Sequence, residues 1–101
     1  MNAPENTKQP RPPYGQVRTT EALGSLARQE RKRQGLTLEQ LYGLSGLSTR
    51  FLSQFERGKP NASLCRVMDA LQILGLEMVV LPRGEAAQLL ETLRVRNREA
   101  G

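Results

Sequence analysis

Residues 35–60 read GLTLEQLYGLSGLSTRFLSQFERGKP, and the fold follows from how this stretch divides. Thr37 is placed to cap a helix by accepting a hydrogen bond from a free backbone N–H, and Gln40 three residues later completes the pattern of a capping box. The spacing therefore predicts a helix that starts at Leu38 and carries Leu41 and Leu44 on one face. Gly46 can take the left-handed conformation that ends a helix without a Cβ penalty, so the chain turns through Ser45, Gly46 and Leu47. Ser48 is the next capping residue. After it Phe51, Leu52 and Phe55 recur at helical spacing, while Thr49, Arg50, Ser53, Gln54 and Arg57 point elsewhere.

Two short helices joined by a glycine-containing turn are the outline of a helix-turn-helix. The second helix has one apolar face and one polar face with hydrogen-bonding tips. Ser, Thr, Arg and Gln on an exposed helix are the groups needed to read base edges in a major groove. The plainer reading of the same residues is a solvated helix face.

Upstream, a helix is predicted over residues 20–34, ended by Gly35, with Leu23, Leu26 and Ala27 inward and the charged run from Arg28 to Arg33 mostly outward. Downstream, Ser63 caps a helix whose Leu64, Val67, Met68, Leu71 and Leu74 follow the i, i+3, i+4, i+7 rule, and Gly75 closes it. Cys65, beside Leu64, reads as a buried free thiol in a reducing compartment. The run LEMVVLP then alternates and stops at Pro82, which predicts one short strand over residues 76–81. A lone strand has unpaired backbone groups, and its obvious partner is the same strand of a second copy, through Leu76, Met78, Val79, Val80 and Leu81. Gly84 breaks the chain. Residues 84–101 then form a C-terminal helical tail in which Ala86, Leu89, Leu90 and Leu93 recur at helical spacing. This tail is either docked on the dimer or folds on a partner.

Residues 1–18 hold Pro4, Pro10, Pro12 and Pro13 among polar and charged residues and read as a flexible basic arm. Lys8, Arg11 and Arg18 would let it lie on a phosphate backbone or enter a minor groove, or it is a solvated tail with no contacts.

The segments LGSLARQERKRQGLT (residues 23–37) and GLTLEQLYGLSGLSTRFLSQFERGKP together resemble the Xre/Cro family of repressor-type helix-turn-helix domains, from about Leu23 to Leu81. PNASLCRVMDALQILGLEMVVLPR (residues 60–83) looks more narrowly like the HipB-type antitoxins. The resemblance implies an all-α, five-element, lambda-repressor-like domain over residues 19–83, with its one short C-terminal β-strand pairing across a dimer. It implies a transcriptional repressor that binds double-stranded DNA at an inverted-repeat operator as a homodimer, represses its own operon and neutralises a HipA-like kinase toxin. Carried over position by position, the base-reading residues are Ser48, Thr49, Arg50, Ser53 and Gln54. Phosphate contacts fall to Thr37 and Lys59, with Arg28 and Lys32 as further candidates from the first helix. Arg31 is implied to pack inward against Glu56 as a structural pair. Two positions depart from the family: Leu38 stands where Gln is usual, and Tyr42 where a small Ala lets the helices cross. The phenol must tilt outward or shift the helices. Gly43 beside it costs about 1 kcal/mol of helix stability relative to Ala.

At 101 residues the chain supports one small domain with tails, and 15 Lys and Arg against 10 Asp and Glu favour a polyanionic partner. There is no His, and no paired carboxylates or metal-ligand spacing appear, so no enzyme, cofactor or metal is expected. No run approaches the length of a membrane span and the N-terminus lacks the apolar core of a secretory signal, which predicts a cytoplasmic protein. Two other readings stay open: a stand-alone Xre-type regulator without a toxin, and a protein-interaction module derived from this fold.

Overall fold

The structure, a computed structural model, describes residues 12–100. Lys8, Arg11, Pro4 and Pro10 of the predicted arm lie outside the described residues. Five helices follow one another: α1 (Thr20–Arg33), α2 (Leu38–Ser45), α3 (Thr49–Glu56), α4 (Leu64–Ile73) and α5 (Arg83–Ala100). The fold is an all-α helix-turn-helix domain.

Each of the first four helices begins at a hydroxyl cap. Thr19 accepts from the amide of Ala22, Ser48 from Phe51 and Ser63 from Arg66. At α2 the capping box is complete, with Gln40 N donating to Thr37 Oγ1 at 3.0 Å and Thr37 N to Gln40 Oε1 at 2.8 Å. The ends of α1, α3 and α4 also share a device. In each, the amide of a glycine and that of the residue after it turn back onto the last carbonyls of the helix: Gly35 and Leu36, Gly58 and Lys59, Gly75 and Leu76. Orphan carbonyls are thereby satisfied, and the chain leaves each helix in a fixed direction.

The core is a single cluster of Ala27, Leu41, Leu52, Phe55, Val67, Ala70, Leu71 and Leu74. Leu23, Leu36, Leu38, Leu47, Phe51, Ala62 and Leu76 pack around it. α1 and α2 both lie on α3, and α2 also meets α4. The contact of α1 with α3 is close because Gly24 has no side chain. A Cβ there would come within 2.2 Å of the Phe55 carbonyl oxygen.

Several positions differ from the reading by periodicity. Leu44 is exposed, whereas Leu41 three residues before it is fully buried. On α4 the covered face is Val67, Ala70, Leu71 and Leu74, while Leu64 and Met68 are exposed and so is Cys65. A domain this small covers only a narrow stripe of each helix, and Leu64 and Met68 lie one flank away from it. Glu30, placed with the outward charges, is buried. The cause is a set of partners for its carboxylate: Arg33 on α1, Gln34 at its C-cap, and the Tyr14 hydroxyl from the segment before α1. Gln34 also donates to the Leu74 carbonyl at the end of α4, 2.8 Å away. Pro12 in the same segment is buried.

Residues 76–82 form no regular element, and among the described residues no backbone ladder joins them to anything. A strand exists only through a neighbour's hydrogen bonds, and one copy of the chain holds none. Gly84 does not interrupt the chain as expected. It lies in the first turn of α5, which the Ala86 amide joins to the Pro82 carbonyl at 2.9 Å, and the helix runs on through the polar end of the chain. Ala86, Leu90, Leu93 and Val95 are half-buried along α5, and Leu90 packs on the backbone at Gly15. Among the described residues no helix is long and apolar enough to cross a membrane.

Candidate nucleic-acid interface

α3 is held from three directions, which fixes what its outer face presents. Leu52 and Phe55 enter the core, and Phe51 stacks on Phe55 with ring centroids 6.2 Å apart. The Arg66 guanidinium of α4 sits 6.0 Å from the centre of the Phe51 ring, within cation–π range. At the far end Glu56 is gripped by Arg31 of α1, with Nε to Oε2 at 2.7 Å and Nη2 to Oε1 at 2.9 Å. These bonds hold the Arg31 guanidinium charged, raising its pKa against the opposing effect of burial. Arg31 Nη1 also donates to the Leu36 carbonyl, so one side chain ties together α1, the loop before α2, and the end of α3.

The opposite side of α3 carries the predicted base-reading residues. Arg50 is exposed and makes no side-chain hydrogen bond among the described residues, and Thr49, Ser53 and Gln54 are half-exposed along the same helix. Ser48 is exposed, though its hydroxyl oxygen already accepts from Phe51, leaving its O–H as a donor. Ser53 and Gln54 each bond a basic side chain from the end of the helix. Arg57 Nη1 donates to Ser53 Oγ at 2.7 Å, and Lys59 Nζ to Gln54 Oε1 at 3.1 Å.

Around α3 the cations gather into two shallow depressions. One, between α1, α2 and α3, is lined by Ser25, Arg28, Lys32, Ser53 and Arg57 above the Arg31–Glu56 pair, with Glu39 as an acidic neighbour. Arg28 and Lys32, one turn apart on α1, therefore share a surface with Ser53. The other is formed by Glu21, Gln54, Arg57, Gly58, Lys59 and Pro60. Arg57 lines both. The reading by sequence did not select it as a contact residue, although its position three residues beyond Gln54 and seven beyond Arg50 puts it on the same helix face. Thr37 is committed to its capping box, which uses both its own amide and its hydroxyl oxygen. The amides of the α2 N-terminus that have no intrahelical partner are then those of Leu38 and Glu39. Tyr42 is 52% exposed, so much of its side chain faces solvent instead of filling the crossing of the two helices.

Of the residues predicted to pair two copies, Leu76 is packed on its own core, whereas Met78, Val79, Val80 and Leu81 are exposed. With exposed Leu64, Met68 and Ile73 on α4 they are the larger share of the uncovered large apolar side chains among the described residues.

Comparison with known proteins matches residues 22–83 to a helix-turn-helix domain family. The chain is 38% identical over 69 residues to the HTH-type transcriptional regulator y4mF of Sinorhizobium fredii, covering 68% of this chain and 91% of that one. It is 36% identical over 59 residues to the regulator y4dJ of the same organism, covering 58% and 77%. Among solved structures, HipB in complex with an O4 20mer superposes with a TM-score of 0.65 at 23% identity, over 69% of this chain and 99% of HipB. A HipB variant with an O2 20mer gives the same TM-score and identity. The family match spans more than half of the chain, and the chain belongs to the helix-turn-helix domain family, with a fold like that of HipB.

Proposed function

We propose that this protein is a sequence-specific, DNA-binding transcriptional repressor that acts as a homodimer. The observation that carries the reading is the outer face of α3, where Thr49, Arg50, Ser53 and Gln54 stand along one side between flanking cations on α1 and after α3. Arg50 has the reach to grip guanine O6 and N7 with two bonds, and each such contact contributes about 1–3 kcal/mol of discrimination. Thr37, through the hydroxyl O–H that its capping box leaves as a donor, and Lys59, Arg28 and Lys32 are assigned to phosphates, which position the protein without reading sequence. Arg57 joins them, because it lines both depressions beside α3. The exposed apolar run from Met78 to Leu81 is assigned to the dimer, as a strand paired with its own copy.

The resemblance to HipB-type antitoxins extends the proposal to an antitoxin that represses its own operon and neutralises a HipA-like kinase toxin. A stand-alone Xre-type regulator is the alternative. A neighbouring gene for a HipA-like kinase separates the two.

The direct test is a footprint on the DNA upstream of the protein's own gene, repeated with Arg50→Ala and Gln54→Ala. Each variant is expected to weaken specific binding by about 1–3 kcal/mol and to relax preference at particular base pairs. Lys59→Ala is expected to weaken binding to all sequences and flatten the salt dependence. Operator binding by both α3 variants as tight as that of the parent would remove α3 from the groove.

A further inference from the structure

The two bonds that basic side chains make to the outer face of α3 bear on what that face reads. Gln54 Oε1 accepts from Lys59 Nζ at 3.1 Å, and the backbone leaves Lys59 little choice of position. Gly58, at φ +86°, turns the chain so that its amide bonds the Phe55 carbonyl at 2.9 Å and the Lys59 amide bonds the Gln54 carbonyl at 3.1 Å. The same turn is clamped onto the start of α1. Thr20 Oγ1 donates to the Gly58 carbonyl at 2.9 Å, and a Cβ on Gly58 would lie 2.6 Å from the Glu21 Cα. The main chain therefore fixes the backbone of Lys59 within reach of Gln54, one turn back along the helix, and its side chain closes the distance.

We infer that Lys59 is a positioning residue for base readout, orienting the Gln54 amide so that its NH2 group, not its oxygen, faces the DNA. This rests on the reading that Gln54 contacts a base. A glutamine whose two ends are both available pairs with adenine, accepting from N6–H and donating to N7. With the ammonium on one lone pair of its oxygen, Gln54 turns its NH2 donors outward, and the positive charge beside Oε1 disfavours the approach of a second N–H to the other lone pair. The edges that fit are those presenting acceptors: guanine N7 and O6, or thymine O4. The ammonium has three N–H groups and needs one for Gln54, so the others remain for a phosphate oxygen. A single side chain thus links backbone contact to base preference.

The experiment selects bound sequences from a random double-stranded DNA library with the full chain and three variants: Gln54→Ala, Lys59→Met and Lys59→Arg. Thermal melts first establish that all four proteins fold alike. The base pair that loses its preference in Gln54→Ala marks the Gln54 contact. There the parent is expected to favour guanine or thymine, Lys59→Met to shift toward adenine by about tenfold, and Lys59→Arg to retain the parent's choice, other positions being unchanged. A Lys59→Met variant that weakens binding to every sequence while leaving that preference intact overturns the inference and leaves the α3 reading standing, as does a parent that favours adenine there. A Gln54→Ala profile identical to the parent's at every position overturns both.

Discussion

Arg31 and Glu56 face each other as fork and fork, two parallel hydrogen bonds of 2.7 and 2.9 Å between side chains that are almost fully buried. The pair joins α1 to the last residue of α3, so the helix proposed to enter the groove is anchored at the end away from its cap. Leaving either charge alone in that position costs about 3–5 kcal/mol. Arg31→Ala is expected to destabilise by that amount in urea unfolding, and Arg31→Lys to recover little of it, because an ammonium cannot reproduce the planar fork or also hold the Leu36 carbonyl. Full recovery by lysine would show that charge alone, without the fork geometry, holds the helices together.

Two glycines inside helices should respond to alanine in opposite directions. At Gly24 the added Cβ meets the Phe55 carbonyl at 2.2 Å and the Glu56 carbonyl at 2.8 Å, both main chain, so α1 must move off α3. Gly24→Ala should destabilise by about 1–3 kcal/mol, as overpacking typically does. At Gly43 nothing lies within 4 Å of the added atom. Gly43→Ala should therefore stabilise by about 1 kcal/mol through helix propensity alone. Thermal melts of the two variants, moving to opposite sides of the parent, are the check.

The acid limb of stability should report Glu30. Burial by itself would push its carboxyl up, but the hydrogen bonds from Arg33, Tyr14 and Gln34 and the charge of Arg33 outweigh it and hold the pKa below the ordinary 4.5. A carboxyl lowered in the folded state contributes stability that is fully present above its unfolded value, and loses it as pH falls through the lower folded value. Glu30→Gln should be less stable than the parent at neutral pH, with the difference narrowing below about pH 4.5. Urea midpoints from pH 7 to pH 3 give the comparison, and a constant difference across that range would assign the loss to packing.

Pairing through residues 76–81 predicts that Val79→Pro, which removes a backbone donor, breaks the dimer and lowers operator affinity. Two copies joined there would present two α3 helices to an inverted repeat with half-sites about one turn apart, roughly 34–36 Å, or a multiple of it. Light scattering decides it, since an unchanged dimer mass for the variant would move the interface elsewhere.

Deleting residues 84–101 removes α5 and its contact between Leu90 and Gly15. If the helix serves a partner, the truncated chain should keep dimerisation and DNA binding while capturing a co-expressed HipA-like kinase less well. Unaltered capture would place the kinase contact on another surface. Loss of the dimer would make α5 a structural part of it.

The features legible in the sequence were those that local chemistry decides. Thr37 with Gln40, Ser48 and Ser63 announce helix starts because a hydroxyl cap acts within three residues of itself, and the helices begin where those residues stand. Gly46 marked the turn for the same reason. The burial of Leu41, Leu52, Phe55 and Leu71 was legible because each is the centre of an apolar face, covered whatever the details of packing. What tertiary structure alone decided lies at the margins of those faces and between distant residues. Leu64, Met68 and Leu44 share the periodicity of the core but stand exposed, because neighbours distant in sequence determine where coverage stops. Glu30 is buried through a tyrosine 16 residues before it and a glutamine that reaches the end of α4. Lys59 meets Gln54 because Gly58 turns the main chain back and α1 clamps the turn. Periodicity carries no term for such contacts: it records which way a side chain points, and the fold determines what it meets there.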